Sequence, residues 1–255
     1  MSSRARAAAF FDIDGTLMAL PSLEHGFFRL LRYRRAIPAV NYVLWLEQAL
    51  RLAPHGIEAL RHANKMYLRG IRAEEAVKKI TACFFAKALE RAVWHASEGH
   101  AIVLVSGTLE FLAQQTARAI EAALRERGCE TTIHVCATRL EQRNGSWTGS
   151  VLGDAMYGEA KARAALRIAE SEGISLADSY AYGDSASDRW LLEVVGHPAA
   201  VNPSLRLRRL AARRGWPILW WKRAGKTARY PCASFGAFSE TKQELLKEDR
   251  WERVV

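Results

Sequence analysis

Short apolar runs that stop abruptly at polar, glycine-bearing loops constrain this chain more than any other feature. Ala7–Phe11 ends in Asp-Ile-Asp-Gly-Thr, Ala101–Val105 ends at Ser106-Gly107-Thr108, and Ser179–Tyr182 ends at Gly183-Asp184. These runs have strand length and are apolar throughout rather than alternating, as strands buried on both faces are. Thr132–Ala137, Pro198–Val201 and, at the sheet edge, Pro217–Trp221 read as further strands. Helical patterns lie between them at Leu109–Arg127, Glu159–Glu172 and Ser187–Val195. Alternation of this kind predicts an α/β domain with a mainly parallel sheet, whose ligands sit beyond the C-terminal ends of the strands.

The stretch from Met18 to Ser97 breaks the alternation. It carries helical patterns at Leu23–Arg35, Pro38–Leu52, Ile57–Leu68 and Ala73–Ala96 and no convincing strand. A crossover between parallel strands needs only about a dozen residues, so the surplus reads as an inserted helical domain over the loop-bearing end of the sheet. Residues 1–18 and 98–225 then form the core, 19–97 a helical cap, and 226–255 an extension of unknown role. Within the cap, Tyr42, Trp45 and Leu46 at helical spacing are expected in its core. Asn144-Gly145, flanked by Thr138–Gln142 and Trp147–Val151, signals a hairpin with a type I′ turn.

Charge is concentrated in one place. The 255-residue chain has a formal charge of +10, yet nine basic residues and no Asp or Glu lie between Ala199 and Ser239. For Arg206–Arg229 an ordinary solvated helix face is the leading reading. A weak contact with an anionic membrane surface is the second, because Trp216, Trp220 and Trp221 accompany the charge. Nucleic acid is not expected, since no recognition motif is present. Cys83, Cys129, Cys136 and Cys232 show neither a paired spacing nor a zinc pattern. With no segment resembling a signal peptide or a membrane span, a cytoplasmic protein is the expectation.

Four polar signals carry the chemistry. Asp12 and Asp14 stand two apart on extended chain and point the same way, and Gly15 lets the chain turn off sharply. Ser106-Gly107-Thr108 offers a hydroxyl and backbone N–H groups at a strand end, an anion cradle; a simple helix N-cap is the alternative. Lys161 lies near a helix N-terminus, where a cation is mildly disfavoured unless an anion is close by. Asp184 and Asp188 follow the fourth strand, one helical turn apart. Each signal has an ordinary structural explanation. All four in order on successive strand ends describe a site for a hard cation and a phosphate, and carboxylate oxygens suit Mg²⁺.

The stretches FDIDGT (Phe11–Thr16), VLVSGT (Val103–Thr108), GEAK (Gly158–Lys161) and YGDSASD (Tyr182–Asp188) together resemble the haloacid dehalogenase-like phosphotransferases. The helical insertion and the segment Gly196–Leu219 resemble their phosphoserine-phosphatase-like branch, often called subfamily IB. The resemblance implies a Rossmann-like parallel-sheet core with an inserted all-helical cap. It implies that Asp12 is the nucleophile forming an aspartyl-phosphate, and Asp14 the general acid and then base. Mg²⁺ would be held by Asp12, the Asp14 carbonyl and Asp184, with Asp188 supporting from behind. Ser106, Gly107 and Thr108 would hold the phosphoryl oxygens, and Lys161 would neutralise charge. Gly107 and Thr108 depart from the small residues or Ser of many relatives, and Ser187 stands where phosphoserine phosphatases usually carry Asn.

The cap should exclude water and select the leaving group. Glu24 and His25 lie close enough to Asp14 to face the cleft, with Glu24 placed to bind a substrate cation; two solvated helix residues is the alternative. A small phosphorylated metabolite is the expected partner, with amino-alcohol or amino-acid phosphates leading: histidinol phosphate, phosphoserine or phosphoethanolamine. A lysophosphatidate-type lipid phosphate at a membrane and a non-catalytic interaction module are the other readings.

Overall fold

The computed structural model describes residues 6–19, 22–72, 81–221 and 232–234. Its elements, in chain order, begin with strand β1 (Ala8–Phe11), cap helices α1 (Leu23–Tyr33), α2 (Ala39–Leu52) and α3 (Ile57–Ala63), and strand β2 (Thr81–Cys83). Helix α4 (Ala86–Ser97), β3 (Ala101–Leu109), α5 (Glu110–Arg125) and β4 (Ile133–Thr138) follow, then the hairpin β5 (Leu140–Arg143) and β6 (Ser146–Val151). The chain continues through α6 (Glu159–Glu172), β7 (Tyr180–Gly183), α7 (Arg189–Glu193), β8 (His197–Val201), α8 (Leu205–Arg214), β9 (Ile218–Leu219) and β10 (Cys232–Ser234).

Six strands form one sheet in the order β4-β3-β1-β7-β8-β9, with every pairing parallel. β1 is central, with Phe11 in register with Leu104 on one side and Tyr182 on the other. Period-2 alternation sends Ala8 and Phe10 into the core under α6, with Ala160, Ala164 and Ala165, while Ala9 and Phe11 pack on the opposite face with Phe27, Leu68 and Phe85. Sequence accounts for the helices locally. α6 is rich in alanine and stops at Gly173 in the left-handed region (φ +64°). α1 starts at Ser22, whose side chain accepts the His25 N–H, and buries Leu23, Phe27 and Leu31 at i, i+4 and i+8.

Three expectations change. The helix expected over Ala73–Ala96 is realised only from Ala86; residues 73–80 lie outside the described residues, and Thr81–Cys83 is a strand paired antiparallel with Cys232–Ser234. α4 buries Ala88, Leu89, Ala92 and His95 and packs on β3 and α5. That helix therefore sits with the core, although the boundary at 97/98 assigned it to the cap. Finally, Tyr42, Trp45 and Leu46 are exposed by 42%, 44% and 57% rather than buried in the cap. α2 is anchored through a polar residue: buried Asn41 donates from Nδ2 to the Tyr67 and Arg69 carbonyls at 3.1 and 2.7 Å. Helical periodicity registers apolar spacing but says nothing of whether a neighbour covers it.

The hairpin forms as its turn dictates, with Asn144 and Gly145 both at positive φ (+52° and +74°). It also clasps the cap: Gly70 N–H donates to the Trp147 carbonyl at 2.8 Å and Trp147 N–H to the Ile71 carbonyl at 3.0 Å. Where the chain leaves the core and returns to it, Met18 bridges Phe84, and Phe85 N–H donates to the Leu17 carbonyl at 2.9 Å. In α8 the arginines point to solvent, with Arg214 paired to Glu193 at 3.0 Å. Trp221 is buried against Tyr182 and Trp216 is half-buried, so of the three tryptophans only Trp220 is exposed. That packing withdraws the aromatic half of the membrane-surface reading, and residues 222–229 lie outside the described residues. No helix among the described residues is long and apolar enough to cross a membrane.

Candidate active site

β3, β1 and β7 are neighbours and parallel, so their C-terminal ends bring motifs from distant parts of the chain together. Asp12 follows β1 directly, is buried, and donates its N–H to the Tyr182 carbonyl at 3.0 Å. Lys161, in the first turn of α6, is buried between two carboxylates: its Nζ lies 2.6 Å from Asp12 Oδ1 and 2.6 Å from Asp188 Oδ1. Asp188 is fixed from its other oxygen, which accepts the Ser185 N–H at 2.9 Å, the Ser185 hydroxyl at 2.8 Å and the Asp184 N–H at 3.2 Å. Asp12, Asp184 and Asp188 bring carboxylate oxygens within 4.8 Å of one another. Asp188 thus lies beside Asp12 and Asp184 with one oxygen on Lys161 and the other on Ser185 and the Asp184 N–H.

Crowding of buried acids shows in their protonation. Burial pushes Asp12 up to about 7 against the pull of Lys161, and burial with the Asp12 charge pushes Asp184 up to about 8. Burial works against the Lys161 ammonium, but Asp12 and Asp188 outweigh it and hold it above its usual range. Asp188 moves the other way: burial raises it, yet Lys161 and the Ser185 hydrogen bonds bring it below the ordinary carboxylate value. Three carboxylates around one ammonium form a donor set that fits a divalent hard cation.

The Asp14 side chain is not in that cluster. Its Oδ1 accepts the Leu23 N–H at 2.9 Å at the start of the cap, and burial lifts it to about 6. Gly15 makes this divergence possible. It sits at φ +84°, and a Cβ there would collide with the Asp184 carboxylate. Its carbonyl accepts Asn202 Nδ2 at 3.1 Å, and Asn202 Oδ1 in turn accepts the Trp221 N–H at 2.9 Å. Asn202 escaped the sequence reading; its one signal is an Asn-Pro pair directly after a strand.

Ser106, Gly107 and Thr108 are buried, but not as a strand-to-helix turn. They form the irregular last part of β3, whose register shifts between Ser106 and Leu109, and neither Ser106 nor Thr108 caps α5, which starts after Leu109. Ser106 Oγ accepts the Thr108 N–H at 3.3 Å, and the Thr108 hydroxyl is buried with no partner. Thr138 holds the Gly107 carbonyl at 3.0 Å.

The cap supplies residues that the sequence did not single out. His62 of α3 stacks on Tyr157, with ring centroids 5.0 Å apart, and abuts Gly107. Burial first, then Lys65 and Lys161, push its imidazole down to about 4, so it is neutral at neutral pH. Glu24 lies beside Asp14, but its Oε1 accepts Lys65 Nζ at 2.5 Å and the Tyr67 hydroxyl at 2.9 Å. His25 is exposed and is not brought to the site.

The haloacid dehalogenase-like hydrolase model matches residues 9–193. The chain belongs to that family. It is 34% identical over 251 residues to a probable phosphatase of Mycobacterium tuberculosis, covering 93% of this chain and 84% of the relative. It is 29% identical over 244 residues to a phosphoserine phosphatase of the same organism, covering 88% of this chain and 73% of that protein. A Bordetella pertussis protein of unknown function superposes with a TM-score of 0.66 at 27% identity, over 86% of this chain and all of the other. A phosphoserine phosphatase captured as a phospho-aspartyl intermediate analogue shares the fold, with a TM-score of 0.52 at 20% identity, over 86% of this chain and 95% of that one. The chain is an enzyme of this hydrolase family, with a Rossmann-like core and a helical insertion.

Proposed function

We propose that the chain is a Mg²⁺-dependent phosphatase that hydrolyses a small phosphomonoester through an aspartyl-phosphate on Asp12. The observation that carries this reading is the buried cluster of Asp12, Lys161, Asp184 and Asp188, with Asp14 held apart at the cap entrance. The Asp12 carboxylate attacks phosphorus as the ester P–O bond breaks, and Asp14, lifted toward neutrality, gives its proton to the departing alkoxide. Asp14 then takes a proton from water, whose oxygen attacks the aspartyl-phosphate, freeing phosphate and restoring Asp12. Lys161 holds Asp12 in place and offsets charge throughout, while Ser106, Gly107 and Thr108 cradle the phosphoryl oxygens. Asp12, the Asp14 carbonyl and Asp184, with Asp188 beside them, would hold Mg²⁺, which would offset the repulsion between phosphate and carboxylate.

The family and its phosphatase relatives support this class of reaction. Amino-alcohol and amino-acid phosphates are the leading substrate class from sequence, and the ion pair between Lys65 and Glu24 bears on that choice. The core claim is tested on p-nitrophenyl phosphate. Wild-type protein with Mg²⁺ should release p-nitrophenol, EDTA should stop it, and Asp12→Asn should lower kcat by about 10³-fold or more while leaving the fold intact. Wild-type turnover in Asp12→Asn would refute the mechanism.

A further inference from the structure

We infer that the leaving group this enzyme releases is an alcohol without a cationic group, because the chain's own Lys65 fills the place on Glu24 that a substrate ammonium would take. The inference rests on the phosphatase reading above and concerns the same site.

Glu24 stands on the cap side of Asp14, the residue read above as giving its proton to the leaving group. It follows Leu23, whose N–H holds Asp14 Oδ1 at 2.9 Å, and its charge bears on Asp14 directly. Lys65 is carried by the cap segment just after α3, three residues past His62, which abuts Gly107. A lone carboxylate here would attract a substrate cation. Instead Glu24 Oε1 accepts Lys65 Nζ at 2.5 Å and the Tyr67 hydroxyl at 2.9 Å. Lys65 is 0% exposed, and its Nζ also donates to the Arg61 carbonyl at 3.1 Å. Burial, then the Glu24 charge, holds the Tyr67 phenol well above its ordinary range, so it stays a hydrogen-bond donor. The pair is thus neutral as a unit. A substrate ammonium would have to drive Lys65 off Glu24 and leave a buried ammonium without its carboxylate, an arrangement that burial penalises strongly. A neutral hydroxyl-bearing leaving group asks for no such exchange.

The test measures phosphate release by the full chain with Mg²⁺ on matched esters: phosphoethanolamine against ethyl phosphate, and phosphoserine against 3-phosphooxypropanoate. p-Nitrophenyl phosphate serves as the reference. The ester without the amino group should show the higher kcat/KM in both pairs, by about tenfold. A preference for the amino ester in either pair overturns the inference. Lys65→Met should open Glu24 and shift the phosphoethanolamine-to-ethyl phosphate ratio at least tenfold toward the amine. An unchanged ratio in a folded variant also overturns it, and if the variant does not fold, the wild-type ratios decide. Failure to cleave p-nitrophenyl phosphate or any of the four esters would instead sink the phosphatase reading itself.

Discussion

Gly107 has no side chain, and His62 uses the space. A Cβ at position 107 would lie 2.6 Å from His62 Nδ1, well inside contact distance. Gly107→Ala keeps the backbone N–H at that position but displaces the imidazole from its stack on Tyr157. We expect kcat/KM on p-nitrophenyl phosphate to fall roughly 10- to 100-fold, the scale of a misplacement of about 1 Å in a site. His62→Ala in the same chain should restore room, so the double variant should be less impaired than additivity predicts, as a double-mutant cycle would show. At this scale the sequence was legible where a residue's meaning is local. Asp12, Asp184 and Asp188 follow strand ends, and Lys161 opens a helix, each in a recognisable motif. Lys65 and His62 carry no such mark. Each sits in a helical stretch where a polar residue reads as solvated, and its partner (Glu24 for Lys65, Gly107 for His62) lies more than 40 residues away.

The hairpin β5–β6 is the element that joins cap to core. Trp147 is 2% exposed, stacks on Phe111 with centroids 5.0 Å apart, and meets Phe27 of the cap edge-on at 6.3 Å. Trp147→Ala empties that joint. Large-to-small changes of buried aromatics cost about 3–5 kcal/mol, and urea unfolding should show a loss of that size. Because Phe27 shares helix α1 with Glu24, kcat/KM should fall as well. Retention of full stability would show that the joint repacks freely. Asn144-Gly145 announced this hairpin, since a two-residue turn is a local property. β2 gave no announcement: its three residues pair with a segment about 150 residues later in the chain, and no local pattern encodes so distant a partner. The exposed face of α2 was misread for the related reason that burial depends on what packs against a helix.

Across the whole molecule, the core holds a buried histidine that ties stability to pH. His95 is 0% exposed, its Nε2 lies 2.9 Å from the Tyr182 hydroxyl, and its Nδ1 lies 2.9 Å from His100 Nδ1. Burial, with His100 and Arg91 nearby, pushes it from 6.5 down to about 3. The folded state therefore keeps His95 neutral where the unfolded chain binds a proton. Its contribution is complete above pH 6.5 and is lost as pH falls toward 3. At pH 4.5 this amounts to about 2–3 kcal/mol. Urea unfolding should show wild-type protein losing that much more stability than His95→Gln between pH 7 and 4.5; parallel losses would refute it. The cap, meanwhile, is fastened at both ends, at the Met18–Phe84 bridge and at the two backbone hydrogen bonds between 70–71 and Trp147. Those two bonds are together worth about 1–3 kcal/mol, in addition to the buried packing of Trp147 on Phe27 and Phe111 at the same seam. The cap is thus stitched to the core along a seam whose two threads, 70–71 and Trp147, lie about 75 residues apart in the chain.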